Sequence, residues 1–518
     1  GALGLVMLMV PLKLVKMKML PFDNKNEFQV VLNMPEGTSF EETKKVVDGI
    51  AAVVRAEPDV ENITAYIGTS APYNFNGLVR HYFLRSQPWQ ADLQVNLAAK
   101  KHRKRQSHDI AKALRPKIHA IVDPTGGHVQ VAEVPPGPPV LSTMVVEIYG
   151  PSLEGQRRMA ADIELLFKDS PNVTDVDSYV GHQEKLYRLK INKEKASLNG
   201  VPVNALAMVV ADALQGGKAD LAHLSGENEP VEIILRLPRE KRTGLDAVLG
   251  MTVLSRFGSR IPIKDLVDVE TTEKDLMIYH KNLQRVSYIM ADVGGKLDSP
   301  TYAMLALNGP LQKVALPEPN LEAQKKPDLL FTRQPETDQR WSIKWDGEWQ
   351  ITYEVFRDLG IAFGIVLVLI FTLVVGWFQS FKTPWIIMLP IPLTLIGILP
   401  AHWMTNTFFT ATSMIGMIAG AGIVVRNSII LVDFIELRMK EGMPIEEAVI
   451  DAGAKRFRPM LLTAAAVVVG ASVILFDPIF QGLALSLIAG EVASTILSRT
   501  AVPVLYYMVM KPKTGRSV

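Results

Sequence analysis

The sequence predicts a membrane α-helical bundle combined with α+β domains, and three observations support this. Hydrophobic residues make up 48% of the 518 residues, but the long apolar runs are concentrated after Tyr353. Alternating strand patterns and helical patterns fill most of the region 21–350. One arginine, Arg426, stands inside the apolar stretch 409–435. We therefore expect a protein with a soluble part and a membrane part.

Five apolar stretches are long enough to cross a bilayer, which takes roughly 20 helical residues. They cover residues 355–378, 384–403, 409–435, 459–477 and 481–510. A further apolar segment, 1–14, is too short and lacks both the basic start and the cleavage site of a signal peptide. We interpret it as the end of a sixth, truncated membrane helix.

The loop charges predict which side of the membrane each connection occupies, because Lys and Arg accumulate in short cytoplasmic loops. The connection 440–458 and the tail after Met510 are rich in both residues, whereas the turns at 402–407 and 477–481 are nearly free of them. We therefore place the large soluble region outside the cytoplasm. Three lysines after the first segment go against the rule: Lys13, Lys16 and Lys18.

The soluble region repeats a strand–helix–strand pattern. Glycines and prolines between the predicted strands and helices of the first copy recur in the second copy. The sequence separation is the same for the pairs Gly37 and Gly150, Pro58 and Pro171, and Gly68 and Gly181. Equal displacement of all three pairs indicates a duplicated unit. Two such units predict two split βαβ, ferredoxin-like subdomains.

The first unit is completed by strand and helix patterns up to Val134 and is closed by the stiff, proline-rich segment 135–139. The second is interrupted, and we interpret 182–275 as an inserted subdomain in which 215–230 is a loop. Residues 308–345 show little periodicity, so we expect mostly loop there.

Several function classes lack support in the sequence. A net charge of +2 says little about partners, and zero cysteines exclude disulfides and thiolate metal sites. The basic run 100–105 opens a predicted helix, where a solvated face is favoured over nucleic-acid binding. The histidines of the soluble region lack dense metal-ligand spacing. No nucleophile triad or phosphate-binding loop occurs. We predict no cofactor, no resident metal and no catalytic residues.

The motifs resemble those of resistance-nodulation-division (RND) efflux permeases, acriflavine-resistance-like multidrug exporters of Gram-negative bacteria. The resemblance covers essentially the whole chain and matches the C-terminal half of the family. The segments that carry it are Gly422–Phe434 (GIVVRNSIILVDF), Arg456–Thr463 (RFRPMLLT), Ser380–Trp385 (SFKTPW), Leu389–Thr394 (LPIPLT) and Pro21–Asn24 (PFDN).

The resemblance implies an architecture and partners. The implied domains are a truncated helix 1–20, a porter subdomain 21–143, a second porter subdomain 144–181 with 276–350, a docking subdomain 182–275, and helices 351–518. The implied partners are the N-terminal half, a homotrimer, a periplasmic adaptor protein, an outer-membrane channel and the lipid bilayer, with no nucleic acid. The implied location is the bacterial inner membrane, with a large periplasmic domain.

The resemblance also assigns a role to Arg426. In the family, a basic residue of the tenth helix pairs with two adjacent aspartates on the fourth helix, and protonation of those aspartates drives transport. No adjacent Asp-Asp pair occurs in the predicted spans, so this polypeptide alone should not couple protons to transport. A structural buried ion pair is the alternative, but the cost of a charge in the membrane favours function.

Other polar residues of the spans extend the candidate proton relay, which consists of Arg426, Asn427, Asp433, Ser486 and Glu491. Asp433 lies seven residues after Arg426 on the same helix face; it could continue a proton path or be an interfacial carboxylate near Arg438. Asn427 could bridge helices or water through the bundle, although asparagine in membrane helices more often makes packing hydrogen bonds. Glu491 has a structural role as its first interpretation and a relay role as its second.

A glycine-containing loop follows the first strand–helix–strand unit, where the resembled family has a switch loop between substrate pockets. Gly68 and Gly77 would let it move, and Tyr73 and Phe75 could offer rings to a ligand. The resemblance thus implies the C-terminal half of a proton antiporter, rather than an enzyme, that exports small amphipathic compounds from the periplasm or inner membrane. The alternatives are a membrane-anchored assembly module without transport, or a metal or lipid exporter of the same superfamily.

Overall fold

The computed structural model describes residues 1–134, 137–138, 140–181, 184–238, 244–294, 298–318 and 324–511. The chain forms two compact units, Gly1–Val180 with Ile278–Val518, and Gly181–Met277. The insertion predicted over 182–275 falls within the second unit. Most of the proline-rich segment 135–139 and the tail after Lys511 lie outside the described residues.

The first subdomain is a sheet covered on one face by two helices. In chain order it contains β1 (Glu27–Asn33), α2 (Phe40–Arg55), β2 (Val60–Ile67), α3 (Phe75–Val79), β3 (Gln90–Leu97), α4 (Ser107–Val122) and β4 (His128–Ala132). The strand order is β2-β3-β1-β4, with antiparallel neighbours. Ile50, Leu114 and Ile118 from α2 and α4 are fully buried in its core.

The second subdomain repeats this plan with a longer sheet. Its elements are β5 (Met144–Tyr149), α5 (Leu153–Lys168), β6 (Val173–Ser178), β13 (Tyr279–Lys281), β14 (Gln284–Val293), α9 (Pro300–Leu311), β15 (Asp328–Leu330) and β16 (Ser342–Gly347). Helices α2 and α5 are equally long, and their starts and ends are displaced by the same offset as the punctuating glycines and prolines. Serine caps the start of both helices, with Ser39 bonding Glu42 N–H and Ser152 bonding Gly155 N–H. Equivalent helices at equivalent positions support the duplication.

The strand β16 corrects the prediction that 308–345 is mostly loop. It pairs with β5 on one side and with β15 on the other. Trp341, Ile343 and Trp345 point into the core and are at most 1% exposed. Their period of two is the signal of a half-buried strand, although the polar residues around it obscured the pattern.

The inserted unit has its own small core around Val201, Leu206 and Ile263. Its elements are β7 (Lys185–Ile191), α6 (Lys193–Leu198), α7 (Val203–Leu214), β8 (Gly217–Ala222), β9 (Val231–Leu235), α8 (Leu245–Leu249), β10 (Thr252–Leu254), β11 (Arg260–Pro262) and β12 (Val267–Glu273). Residues 217–222 form a strand paired with β9, so the predicted loop 215–230 is partly a hairpin. Three consecutive exposed residues, Lys218, Ala219 and Asp220, masked its strand pattern.

The membrane part contains α10 (Glu348–Phe378), a segment broken into α11 (Thr383–Met388), α12 (Pro390–Leu393) and α13 (Leu395–Met404), and then α14 (Ala411–Lys440), α15 (Ile445–Ser472) and α16 (Gln481–Met510). Five helices among the described residues are long and apolar enough to cross a membrane. The first segment differs from its prediction, because only α1 (Ala2–Met7) is helical and turns follow to Lys13. No sixth span is present within the described residues.

A single glycine joins the second subdomain to the membrane part. Gly347 ends β16 and has φ +77°, and the 31-residue helix α10 starts at the next residue. A Cβ at this position would approach the carbonyl oxygen of Ser142 to 2.7 Å. Both the left-handed backbone and the lack of space therefore require glycine.

Candidate functional site

Arg426 lies at the middle of α14, a helix whose start is fixed by a reciprocal cap between Thr410 and Ser413. The Arg426 side chain is exposed at the surface of this chain's helical bundle. It forms no hydrogen bond and no ion pair with any of the described residues. The carboxylates predicted to pair with Arg426 belong to a helix outside this chain, so its role stays a prediction.

The exposed face of α14 includes Asp433 as well as Arg426. It follows the seven-residue spacing of one helix stripe: Ile415, Ala419, Gly422, Arg426, Ile430, Asp433 and Leu437 are all exposed. Asp433 also lacks a partner among the described residues. Arg438, which had been considered as its neighbour, pairs with Glu441 at 2.6 Å and with Asp451 at 2.8 Å instead.

Asn427 and Glu491 meet in the interior, between α14 and α16. Both residues are at most 2% exposed, and Asn427 Nδ2 donates to Glu491 Oε1 at 3.2 Å. The second oxygen, Oε2, is buried and has no hydrogen-bond partner among the described residues. The charge of Arg426 attracts the Glu491 carboxylate, but no direct ion pair joins the two.

Ser486 takes no part in this contact. Its hydroxyl is buried without a partner among the described residues. A Cβ at Gly416 would come within 2.9 Å of the Ser486 Cβ, so the two helices pack tightly at this level. Five residues separate Ser486 from Glu491, about 140° around the helix, which points the two side chains in different directions. The structure thus groups Arg426, Asn427 and Glu491, and leaves Ser486 and Asp433 apart from them.

The chemistry of this set is limited to proton and charge exchange. Arginine keeps its proton under all ordinary conditions, and an asparagine amide can only donate or accept hydrogen bonds. Glu491 and Asp433 are therefore the members that can take up or release a proton. Burying a carboxylate with one unsatisfied oxygen costs free energy in a membrane.

The loop after β2 is partly helical. Gly68 has φ +68°, a left-handed conformation that favours glycine, and its predicted role in loop movement stays a prediction. Gly77, by contrast, lies within α3, where its N–H bonds Asn74 Oδ1 at 2.6 Å. Tyr73 is 76% exposed and Phe75 is 50% exposed, so both rings remain available to a ligand.

Charged residues that join the two subdomains were missed by the sequence reasoning. Helix α4 carries His108, Lys112, Arg115 and His119 at spacings of four, three and four residues, which places them on one face. Arg115 Nε bonds Asp175 of β6 at 2.9 Å, and His108 Nε2 contacts Asp298 at 3.1 Å. The basic periodicity of α4 was readable in the sequence, but its acidic partners lie far away in the chain.

Comparison with known proteins decides the family. The profile of the AcrB/AcrD/AcrF family matches residues 2–324 and 331–510. The chain belongs to the AcrB/AcrD/AcrF family. The predicted resemblance to RND permeases is thereby confirmed, and the family consists of transporters rather than enzymes.

Relatives within the AcrB/AcrD/AcrF family carry different names. Nickel and cobalt resistance protein CnrA of Cupriavidus metallidurans is 26% identical over 392 residues, which is 73% of this chain and 34% of CnrA. Swarming motility protein SwrC of Bacillus subtilis is 24% identical over 70% of this chain and 33% of SwrC. Multidrug resistance protein MdtC of Erwinia amylovora is 20% identical over 94% of this chain and 44% of MdtC.

The crystal structure of a heavy metal efflux pump shares the fold. It superposes with a TM-score of 0.76 at 19% identity and covers 98% of this chain and 49% of the pump chain. The chain therefore spans about half the length of that pump, and the matches to CnrA, SwrC and MdtC cover 33–44% of those proteins.

Proposed function

We propose that this chain is the C-terminal half of a proton-driven RND efflux transporter. The observation that carries the proposal is a buried carboxylate, Glu491, held by Asn427 next to Arg426 in the membrane helices. A titratable acid beside a permanent cation is an arrangement that can bind and release protons with a change in local charge. The two α+β subdomains would be the family's ferredoxin-like porter subdomains, and the inserted unit its docking subdomain.

The exposed stripe of α14 supports a partner helix outside this chain. Facing Arg426 into lipid would cost roughly 2.5 to 3.5 kcal/mol on insertion scales. A neighbouring helix with carboxylates at the level of Arg426 removes that cost. In the proposed cycle these carboxylates pair with Arg426 when ionised and release it when protonated. Asp433, about 10.5 Å further along the helix, would continue the path toward the cytoplasm.

The proposed substrates are small amphipathic compounds. The rings of Tyr73 and Phe75 project from the loop after β2 and are solvent-exposed, which suits weak contacts with apolar ligands of varied shape. The loop would act as the switch loop of the substrate path, with Gly68 as its flexible point.

A metal cation is the second candidate substrate. Four carboxylates lie where the two subdomains meet: Glu133, Asp175, Asp177 and Asp298. Nickel and cobalt, for which the relative CnrA is named, also bind imidazole, and His108 and His119 lie among these carboxylates. In this conformation the described residues contain no group of three such side chains placed to hold a metal ion. All four carboxylates are engaged by protein donors in this conformation, so a cation would need the subdomains to separate.

The proposed assembly follows the family. The complete transporter would be a homotrimer in the bacterial inner membrane, with the soluble region in the periplasm. A periplasmic adaptor protein and an outer-membrane channel would complete the export route.

The test is Arg426→Ala in the complete transporter, with Arg426→Lys as the matched control because the family uses either basic residue. Cells expressing each form are assayed for ethidium efflux and for growth in nickel and cobalt. We expect Arg426→Ala to abolish export of whichever substrate the wild type exports, while the trimer still assembles, and Arg426→Lys to retain export.

Wild-type export by Arg426→Ala would refute the proton-coupling role. If the wild type itself exports none of these substrates while the trimer assembles, the rival interpretation of a membrane-anchored assembly module gains support.

A further inference from the structure

The two subdomains are held together by ion pairs that centre on one face of α4. The face consists of His108, Lys112, Arg115 and His119. The second subdomain contributes Asp175 from β6 and Asp298 from the segment before α9. The basic side chains thus belong to one subdomain and the acidic side chains to the other.

Asp175 is the most connected of these acids. Its side chain is fully buried, and Oδ2 accepts from Arg115 Nε and from the N–H of Val131, both at 2.9 Å. Oδ1 contacts His119 Nε2 at 2.8 Å. Burial alone would raise the pKa of Asp175, but the charge of Arg115 and the bond from His119 lower it. Arg115 and His119 thus tie this carboxylate to α4.

The backbone is strained where it presents this acid. Asp175 has φ +53°, in the left-handed region that a non-glycine residue rarely adopts. The pairing of β6 with β14 is also irregular at this point, with a shift between Met290 and Asp292. Such strain costs on the order of 1–3 kcal/mol and persists only where surrounding contacts outweigh it. The strand thus bulges in a way that delivers the carboxylate to α4.

His108 makes the second connection and is held from both sides by acids. Nδ1 contacts Glu133 of its own subdomain at 2.7 Å, and Nε2 contacts Asp298 of the other at 3.1 Å. An ionised carboxylate accepts hydrogen bonds but cannot donate them. Both ring nitrogens of His108 must therefore carry a proton to bond Glu133 and Asp298 in this geometry. The charged groups around this pair are Lys18, which is 3.6 Å from Asp298, Lys112, and the residues Arg80, Arg115, Asp292 and Glu348 that line the adjoining cavity. Burial raises the pKa of Glu348 to about 7, so Glu348 also titrates in this range.

The protonation of this pair agrees with the geometry. Burial alone would lower the pKa of His108, but the bonds to Asp298 and Glu133 raise it to about 9. Burial alone would raise the pKa of Asp298, but the bond from His108 and the charge of Lys18 lower it to about 2. The pKa of His119 shifts upward as well, because its bond to Asp175 outweighs burial; its other partner is Asp123.

A cavity reaches the pair from inside the protein. It has a volume of about 40 Å³ and is lined by His108, Glu133 and Asp298 together with Lys18 and Glu348. This is more than the roughly 15 Å³ that one water needs, and the lining offers several polar partners. The cavity therefore has the room and the polar partners for water, through which His108 can exchange its proton.

We propose that the basic face of α4 and the acids of the second subdomain form a proton-dependent latch that holds the two subdomains together. The closed latch keeps a proton on His108, and separation of the subdomains releases it. The proposal rests on the ion pairs and the cavity, and it holds whether or not the chain takes part in transport.

The direction of the pH effect follows from linkage. A histidine whose pKa is higher in the closed state stabilises that state below its ordinary value near 6.5, and this stabilisation is lost as pH rises toward 9. Rising pH therefore favours separation. The open-to-closed ratio should increase on the order of a hundredfold between pH 6 and pH 9.5.

The distance between the subdomains can be measured directly, because the chain contains no cysteine. Lys117→Cys on α4 and Leu165→Cys on α5 are both exposed and take spin labels. Double electron–electron resonance on the labelled full chain in nanodiscs should give a single short distance between the labels at pH 6. As the pH rises toward 9.5, a second population with a longer distance should appear and increase.

Two substitutions distinguish the latch from a general pH effect. His108→Gln removes the titrating group and should abolish most of the pH dependence, whereas His280→Gln, an exposed histidine outside the contact, should leave it unchanged. If His108→Gln fails to fold, Asp298→Asn removes the partner across the interface and should move the transition to lower pH. A wild-type distance that is constant from pH 6 to pH 9.5 would overturn the proposal, as would an equal response in His108→Gln.

Discussion

The charged residues of α4 and those of α14 have opposite surroundings. On α4, Arg115, His108 and His119 each contact a carboxylate of another element within 3.1 Å. On α14, Arg426 and Asp433 are exposed and have no partner among the described residues. The charges on α4 are thus paired within this chain, whereas Arg426 and Asp433 are unpaired among the described residues, as expected if a helix outside this chain supplies their partners. Four predictions test that difference.

The largest effect is expected for Arg115→Leu. It leaves Asp175 buried with one cationic partner fewer, and breaking a buried pair costs about 3–5 kcal/mol. Hydrogen exchange of α4 amides should show a loss of local stability of this size. The control is Arg158→Leu, whose exposed pair with Glu154 should change stability by less than about 0.5 kcal/mol. Equal losses in the two variants would contradict the paired character of α4.

Lowering the pH should weaken the contact between His108 and Asp298 in the interface of the two subdomains. Because the pKa of Asp298 is lowered to about 2, its contribution is present above the ordinary value near 4 and is lost as pH falls through 2. A shift of this size corresponds to about 2 kcal/mol. Amides at the start of α9 should lose protection between pH 5 and pH 2.5, after correction for intrinsic exchange. Asp298→Asn should lack this acid step, and its persistence there would assign the step to another group.

A smaller effect is expected for the buried contact of the membrane helices. Asn427→Leu removes the donor to Glu491 and should lower the local stability of α14 and α16 by about 1 kcal/mol. Ser486→Ala is the control, since the hydroxyl has no partner among the described residues; its effect should stay below about 0.5 kcal/mol. A cost for Ser486→Ala as large as that for Asn427→Leu would show that Ser486 belongs to the polar contact.

The smallest effect is expected for Arg426→Leu in this chain by itself. With no partner to lose among the described residues, α14 should keep its amide protection within about 0.5 kcal/mol of the wild type. In the complete transporter, the same substitution should abolish export. A loss above about 1 kcal/mol in the isolated chain would mean that Arg426 is already paired there, and the contrast between α4 and α14 would fail.

The sequence predicted the parts of the fold that depend on local patterns. The constant offset between the two copies placed α2 and α5 correctly, because the punctuating residues are fixed by turns next to each helix. The five long apolar helices were readable from length and composition. Where local patterns were weak, as in β8 and β16, strands were mistaken for loops. Their formation depends on pairing with β9 and β5, which the local sequence does not encode.

The candidate sites were predictable to a smaller degree. Arg426 stood out because a charge in an apolar run is rare, and Asn427 and Glu491 do meet in the structure. Ser486 was grouped with them by residue type, but helical rotation separates it. The interface acid Asp175 left no sequence signal, because its role depends on a strand bulge and on a helix 60 residues away.

The joint at Gly347 gives the molecule a mechanical property. No residue separates the strand β16, which ends at Gly347, from the 31-residue helix α10, which begins at Glu348. At 1.5 Å per residue, α10 is about 46 Å long, and tilting it by 5° displaces its far end by about 4 Å. A small rotation of α10 where it joins the sheet therefore produces a displacement of several ångströms at the opposite end of the helix.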